Sequence, residues 1–195
     1  MNKIYKISKS ESPWGDYGRI LTHGMTEHLS RKEGLLQLER TGPYIPPITF
    51  PGIGNIIVTS SFLSIINNSK LSGISFQPVI KAHIVELDWK KWNLTNPEPD
   101  FYPESGEPED YILEREHSEQ IADGLGNLYE LILRGEAEID RKNNFSIYED
   151  SIPDLDFFMA KGVLYNYVSE KAKQWLSNNV AEYISFEEIR IVKRS

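Results

Sequence analysis

The sequence predicts an α+β protein of mostly antiparallel sheets and short helices, built around two related strand–helix–strand units. Three observations carry this. Short β-branched runs end repeatedly in Pro, Gly or Asn, as strands between tight connections do. The amphipathic stretches at helical spacing are brief, and only two stand out. Those two stretches, with the strands around them, repeat at a fixed offset of 110 residues without a gap: Val58, Asn68, Ile74, Ser75 and Phe76 recur as Val168, Asn178, Ile184, Ser185 and Phe186.

Taken in order, Lys3–Ile7 alternates charged and apolar residues and reads as an opening strand. Ser10–Gly24 is rich in Ser, Gly and aromatics and reads as a loop with a short strand at Arg19–Thr22. Leu35–Arg40 reads as a strand. Residues 43–51 hold four prolines, which forbid helix and central strand because proline lacks the N–H and restrains its predecessor. Asn55–Thr59 is a strand, and Ser60–Asn68 a short helix capped by Thr59 or Ser60. Gly73–Trp89 is a long β-branched strand region. Asn96–Asp110 reads as an exposed loop or flexible excursion. Tyr111–Leu113 and Asn127–Arg134 read as strand or short helical pieces, and Asn143–Asp154 as turns. Asp156–Ala160 and Val163–Tyr167 form a hairpin, Ser169–Asn178 a helix with Ser169 as N-cap, and Tyr183–Lys193 a closing strand.

Within the repeat, Phe62, Ile65 and Ile66 correspond to Ala172, Trp175 and Leu176, both trios at i, i+3, i+4 on one helix face. After each helix the apolar alternation changes phase, at Gln77–Pro78 and at Glu187–Glu188, which predicts a bulge at each place. The organisation expected is an N-terminal lobe over 1–92, an acidic linking segment of irregular structure over 93–154, and a C-terminal unit over 155–195 repeating the 58–79 motif, together one compact domain.

The 195 residues carry 21 Lys+Arg against 29 Asp+Glu, a net charge of −8. Its distribution is uneven: residues 1–91 carry +4, residues 92–156 carry −14 and residues 157–195 carry +2. A generic nucleic-acid binder places its excess on the basic side, so nucleic acid is not an expected partner. The acidic middle reads either as a solubilising face or as a docking surface whose carboxylates speed encounter with a basic partner. No cysteine is present, which removes disulfides and thiol catalysis. With no signal-peptide core at the N-terminus and no membrane-spanning apolar run, the expected location is the cytoplasm, with no membrane partner.

The sequence contains no phosphate loop, dinucleotide fingerprint or nucleophile elbow. His23 and His28 are five apart, unsuited to one helix face, and His83 lies in a strand where a hydrogen-bonded structural role is expected. Carboxylate pairs such as Asp154 with Asp156 sit in turn-rich text, where surface charge is the better reading. The chain is therefore read as non-enzymatic, with no cofactor and no metal site expected. A carboxylate-dependent metal hydrolase, or a ligand-binding or scaffold module of a mobile element, stands as the alternative. Trp14, Tyr17, Trp89, Trp92, Phe101 and Tyr102 lie in or beside loops, serving either as packing or as interface anchors.

One resemblance bears on function. Arg40-Thr41-Gly42-Pro43, Pro46-Pro47, Ile57-Val58-Thr59-Ser60 and Leu71-Ser72-Gly73-Ile74-Ser75-Phe76-Gln77-Pro78-Val79, with a related phrase from Phe157-Phe158 through Phe186, resemble bacterial immunity proteins of polymorphic-toxin and contact-dependent competition systems. The resemblance covers roughly residues 40–80 and 155–192 and includes no catalytic residue. It implies a non-enzymatic protein that binds and blocks a cognate toxin domain encoded by the neighbouring gene. Joined to the charge map, it places the contact on the acidic middle. Asp100, Glu104, Glu107, Glu109, Asp110, Glu114 and Glu116 are the steering charges on a basic partner, with Phe101 and Tyr102 as apolar anchors.

Overall fold

The strand–helix–strand repeat is the organising feature of the computed structural model, which describes residues 3–26, 28–143 and 145–194. In chain order the elements are β1 (Ile4–Lys9), α1 (Asp16–His23), β2 (Gln37–Gly42), β3 (Ile48–Gly52), β4 (Asn55–Thr59), α2 (Ser60–Asn67), β5 (Ile74–Pro78) and β6 (Ile80–Glu86). They continue with α3 (Asp110–Leu113), α4 (Glu119–Gly124), β7 (Leu128–Leu133), β8 (Glu136–Ala137), β9 (Ile139–Asp140) and β10 (Ser146–Tyr148). The last are β11 (Phe157–Ala160), β12 (Asn166–Ser169), α5 (Glu170–Val180), β13 (Ile184–Glu188) and β14 (Ile191–Val192). The protein is α+β, with mostly antiparallel sheets and short helices.

Both repeats have the same topology. β12 and β13 lie on either side of β1 and antiparallel to it, with Tyr5 opposite both Val168 and Glu188. β4 and β5 lie on either side of β7, which pairs antiparallel with β4 through Val58 and Tyr129. Strands that flank a common antiparallel neighbour are parallel to each other, so each pair needs a helical crossover, and α2 and α5 supply it. A hairpin partner precedes each unit, β3 beside β4 and β11 beside β12, so the orders β3-β4-β7-β5 and β11-β12-β1-β13 correspond strand for strand.

The helix starts correspond as well. Thr59 Oγ1 accepts the Phe62 N–H at 3.3 Å, and Ser169 Oγ accepts the Ala172 N–H at 3.1 Å, equivalent caps at equivalent positions. Phe62 and Ile66 are buried, as are Ala172 and Leu176, but Ile65 is half exposed, so the middle member of the first trio points outward.

The chain forms two compact units. The terminal unit comprises the residues up to Ser10, Ser64–Phe76 and those from Leu131 onward; the central unit comprises Glu11–Leu63 and Gln77–Glu130. In the terminal unit a five-stranded sheet, β13-β1-β12-β11-β8, and a three-stranded sheet, β14-β10-β9, surround Ile4, Ala137, Ile147, Phe158, Ala160 and Tyr167. In the central unit β2 pairs in parallel with β6, with a bulge between Leu38 and Glu39. Its core gathers in small clusters, among them Leu36, Leu38, Ile57 and Leu128, and Leu21, Trp89 and Tyr111.

Several sequence expectations change. Residues 16–23, expected as loop and strand, form α1, because Ile20 and Leu21 pack inward while Gly18 lets the helix pass against the Pro13 carbonyl. Gly73–Trp89 is two strands, and the phase change expected there is a change of sheet: β5 borders β7, and β6 joins β2. The proline-rich stretch does contain a strand, β3, at the sheet edge, where a missing N–H costs no ladder bond. Residues 93–154 hold α3, α4 and β7 to β10 and contribute to both units.

Candidate functional site

The acidic stretch of the central unit is fastened by aromatic residues outside it. The 3-10 turn Trp89–Lys91 closes the chain after β6 and buries the Trp89 ring. Trp14, just before α1, packs at 5.7 Å on Trp92 and donates its Nε1–H to the Asn96 carbonyl at 3.0 Å. Tyr17 on α1 donates its hydroxyl to the Gly106 carbonyl, and Tyr111 on α3 donates to the Phe101 carbonyl. Three backbone acceptors of a proline-rich loop are thereby satisfied by side chains, as a loop without ladder partners requires. Asn96–Asp110 is an exposed loop, as read from the sequence, and it is tied down at three points.

Phe101 and Tyr102 are adjacent, yet their rings rest on different supports. Phe101 packs on Trp92 at 4.8 Å and on Tyr111 at 5.8 Å, both edge-on, with the Arg115 guanidinium 5.6 Å from its centroid. Tyr102 packs edge-on against Tyr17 at 4.8 Å. Each nevertheless leaves about two fifths of its surface in solvent, 41% and 44%. Supported rings that stay exposed lose little entropy on contact, which is what an interface anchor needs. Burial pushes the Tyr111 hydroxyl up to about 12, and partial burial with Glu98 raises Tyr102 as well.

Around these rings Asp100, Glu104, Glu107, Glu109, Glu114 and Glu116 are exposed. Asp110 is half-buried: it opens α3 and accepts the Ser105 hydroxyl, which also receives the Glu107 N–H. None of the seven carboxylates joins an ion pair among the described residues, whereas Glu130, Glu138, Asp156, Glu187 and Glu188 all do. The structure thus gathers the nine sequence-predicted residues on one ordered segment of one unit. Asp110 is tied to Ser105 of that same segment.

Two residues here escaped sequence reading. Arg115, the one cation of the stretch, braces Phe101 and donates to the Tyr111 carbonyl at 2.8 Å. Arg40 is fully buried; its guanidinium bonds the carbonyls of Thr41 and Tyr44, Nη1 finds no partner among the described residues, and burial lowers it to about 9. No spacing or motif announces either role.

The terminal unit carries a shallow groove of about 530 Å³ lined by Glu138, Ile139, Asp140, Arg141, Lys142, Tyr148 and Lys161. Its acids are already engaged: Glu138 pairs with Arg194 at 2.7 Å, and Asp140 accepts the Lys142 N–H at 3.0 Å. Of the carboxylate pair Asp154 and Asp156, Asp156 is committed to hydrogen bonds with Ser72, Ser169 and Lys171. His83 makes the hydrogen bond expected of a structural histidine, to the Arg115 carbonyl at 2.8 Å. No helix among the described residues is long and apolar enough to cross a membrane.

The chain matches no protein-family model and no curated protein.

Proposed function

We propose that this protein is a non-enzymatic immunity protein that neutralises a basic bacterial toxin domain by seating it on the acidic surface around Phe101 and Tyr102. The observation that carries the reading is the pairing of seven carboxylates, free of ion pairs among the described residues, with two supported, half-exposed aromatic rings on one segment. Unpaired like charges repel one another and weaken the fold that holds them, so their retention is compensated when a cationic surface docks. Asp100, Glu104, Glu107, Glu109, Glu114 and Glu116 steer the encounter, and Phe101 and Tyr102 supply the apolar contact. The resemblance to immunity proteins supplies the toxin as the partner class. Blocking is by occlusion, which asks for no catalytic group, and the cytoplasm is where such a protein would meet its toxin.

The test is to express the open reading frame beside this gene alone and with this protein, and to purify the pair. Toxicity relieved together with a stable complex is the expected result. Reversing Glu104, Glu107 and Glu109 to Lys should slow association by about tenfold or more at low salt and flatten its salt dependence, with folding intact. Phe101→Ala should weaken binding by about thirtyfold, the loss of one interface anchor. A harmless neighbour, or a toxic one that does not bind, overturns the reading; unchanged binding by the charge-reversed variant overturns the site.

A further inference from the structure

Glu39 on β2 has 3% of its surface exposed, and no lysine or arginine reaches it among the described residues. Its two oxygens face imidazoles instead. Oε2 lies 3.1 Å from His28 Nδ1, and Oε1 lies 3.8 Å from Nδ1 of His83, which stands opposite Glu39 in the β2–β6 ladder. A carboxylate only accepts, so His28 Nδ1 carries a proton.

His83 is constrained from its far side too. Its Nε2 lies 2.8 Å from the Arg115 carbonyl, which also only accepts, so Nε2 is the protonated nitrogen of the neutral ring. Neutral His83 therefore turns a bare Nδ1 lone pair toward Glu39 Oε1. Charged His83 turns an N–H toward it and supplies a cationic partner to a buried carboxylate. The other groups near His83 are committed. His117, whose ring is 6.2 Å away, accepts the Ile84 N–H on Nδ1 and holds Nε2 3.6 Å from Glu119. Lys81, two residues earlier on β6, spends its ammonium on the Ala122 and Gly126 carbonyls. Glu39 and His83 are thus left to settle the local charge with His28.

The residue that receives the His83 Nε2–H is the one that braces Phe101. Arg115 presents its carbonyl to His83 and its guanidinium to the Phe101 ring and the Tyr111 carbonyl. We propose that the Nδ1 proton on His83 regulates the acidic docking surface: while His83 is charged, Glu39 attracts the ring and its Nε2–H is a charge-assisted donor to the Arg115 carbonyl, steadying the Phe101 ring stack, and loss of that proton leaves only the weaker neutral donor bond and loosens the stack. Rising pH removes that proton and so weakens docking. That docking consequence rests on the proposed function; the coupling between His83 and Phe101 belongs to the free protein.

NMR of the full chain from about pH 5.5 to about pH 8.5 tests the coupling. The Arg115 and Phe101 amides should move with the same midpoint as the His83 ring. In His83→Gln, which can still donate to the Arg115 carbonyl but cannot gain charge, both amides should lose that response, while His28→Gln should keep it. Amides that stay still while His83 titrates, or that keep moving in His83→Gln, overturn the inference. With a bound toxin in hand, wild-type affinity should fall by about fivefold across the range and that of His83→Gln should not. Coupled amides without any toxin binding would sink the docking reading alone; toxin binding with uncoupled amides would sink this inference alone.

Discussion

Ser72 and Asp156 clasp each other through both backbone and side chain. Ser72 donates its N–H at 2.9 Å and its hydroxyl at 3.1 Å to Asp156 Oδ2, and its hydroxyl oxygen receives the Asp156 N–H at 3.0 Å. The other carboxylate oxygen accepts the hydroxyl of Ser169, the residue that caps α5, at 2.8 Å. One aspartate therefore joins the loop after α2, the start of β11 and the first turn of α5, all within the terminal unit. Asp156→Ala leaves the Ser72 N–H without its acceptor and should cost about 2–3 kcal/mol in denaturant unfolding. Lys171, the ionic partner at 2.9 Å, is mostly exposed, and Lys171→Ala should cost under about 1 kcal/mol. Equal losses from the two variants would mean that the ion pair, not the clasp, holds the site.

Glu130 plays the equivalent part in the central unit. It accepts two bonds from Arg31, at 2.6 and 2.7 Å, and one from Gln77 at 2.7 Å. Burial pushes both the Glu130 and Asp156 carboxyls up, but their donors outweigh it and hold both below their ordinary values of 4.5 and 3.8. A depressed carboxyl stabilises the fold above its unfolded value, and that stability is lost as pH falls through the folded one. Stability should accordingly hold steady above about pH 5 and fall progressively below about pH 4.5. In Glu130→Gln the acid slope should be shallower. Arg31→Ala, which strands a nearly buried carboxylate, should cost about 2 kcal/mol at neutral pH.

The sequence carried the repeat, its caps and the closing hairpin because those features are local: a hydroxyl three residues before an amide, an apolar pair one turn apart. The strand that completes each repeat was beyond reach, since β7 follows its unit and β1 precedes its own, and nothing in either pattern names the partner. α1 was obscured by Gly15 and Gly18, residues that ordinarily argue against a helix; here Gly15 supplies the left-handed backbone before the first turn and Gly18 permits the close approach to Pro13. Phe101, Tyr102 and the surrounding acids could be named from composition. Their support could not, because Tyr17 reaches Tyr102, and Trp14 reaches Trp92 and the Asn96 carbonyl, from far along the chain. The Glu39–His83 contact was invisible for the same reason, and the full burial of Arg40 because an arginine ordinarily argues for the surface.

Gly18 is tested by the smallest substitution. A Cβ there would collide with the Pro13 carbonyl oxygen, a backbone atom that cannot swing away as a flexible side chain could. Gly18→Ala should destabilise by about 2 kcal/mol despite alanine's better helix propensity. Gly124, the last residue of α4, has open space around a built Cβ and no left-handed backbone. Gly124→Ala should be neutral or stabilise by up to about 1 kcal/mol, through the lower entropy of the unfolded chain. Urea unfolding of the pair separates the packing constraint from propensity, since both changes add the same methyl group to a helix.

Tyr111 and Tyr167 set the alkaline edge of stability. Burial pushes each hydroxyl from 10 up to about 12, Tyr111 beside the acidic loop it tethers and Tyr167 in the core of the terminal unit. A raised group contributes stability that is complete below its unfolded value and is lost as pH rises through the folded one. The fold should therefore weaken between about pH 10 and about pH 12. Ultraviolet titration of the ten tyrosines should show a late phase in that interval, absent from protein unfolded in denaturant. Tyr111→Phe should remove part of the late phase and also deprive the Phe101 carbonyl of its donor, so hydrogen exchange around residues 101–106 should quicken. Tyr167→Phe should remove another part and leave that exchange unchanged. Exchange quickened equally by both variants would show general destabilisation and refute the tether assigned to Tyr111.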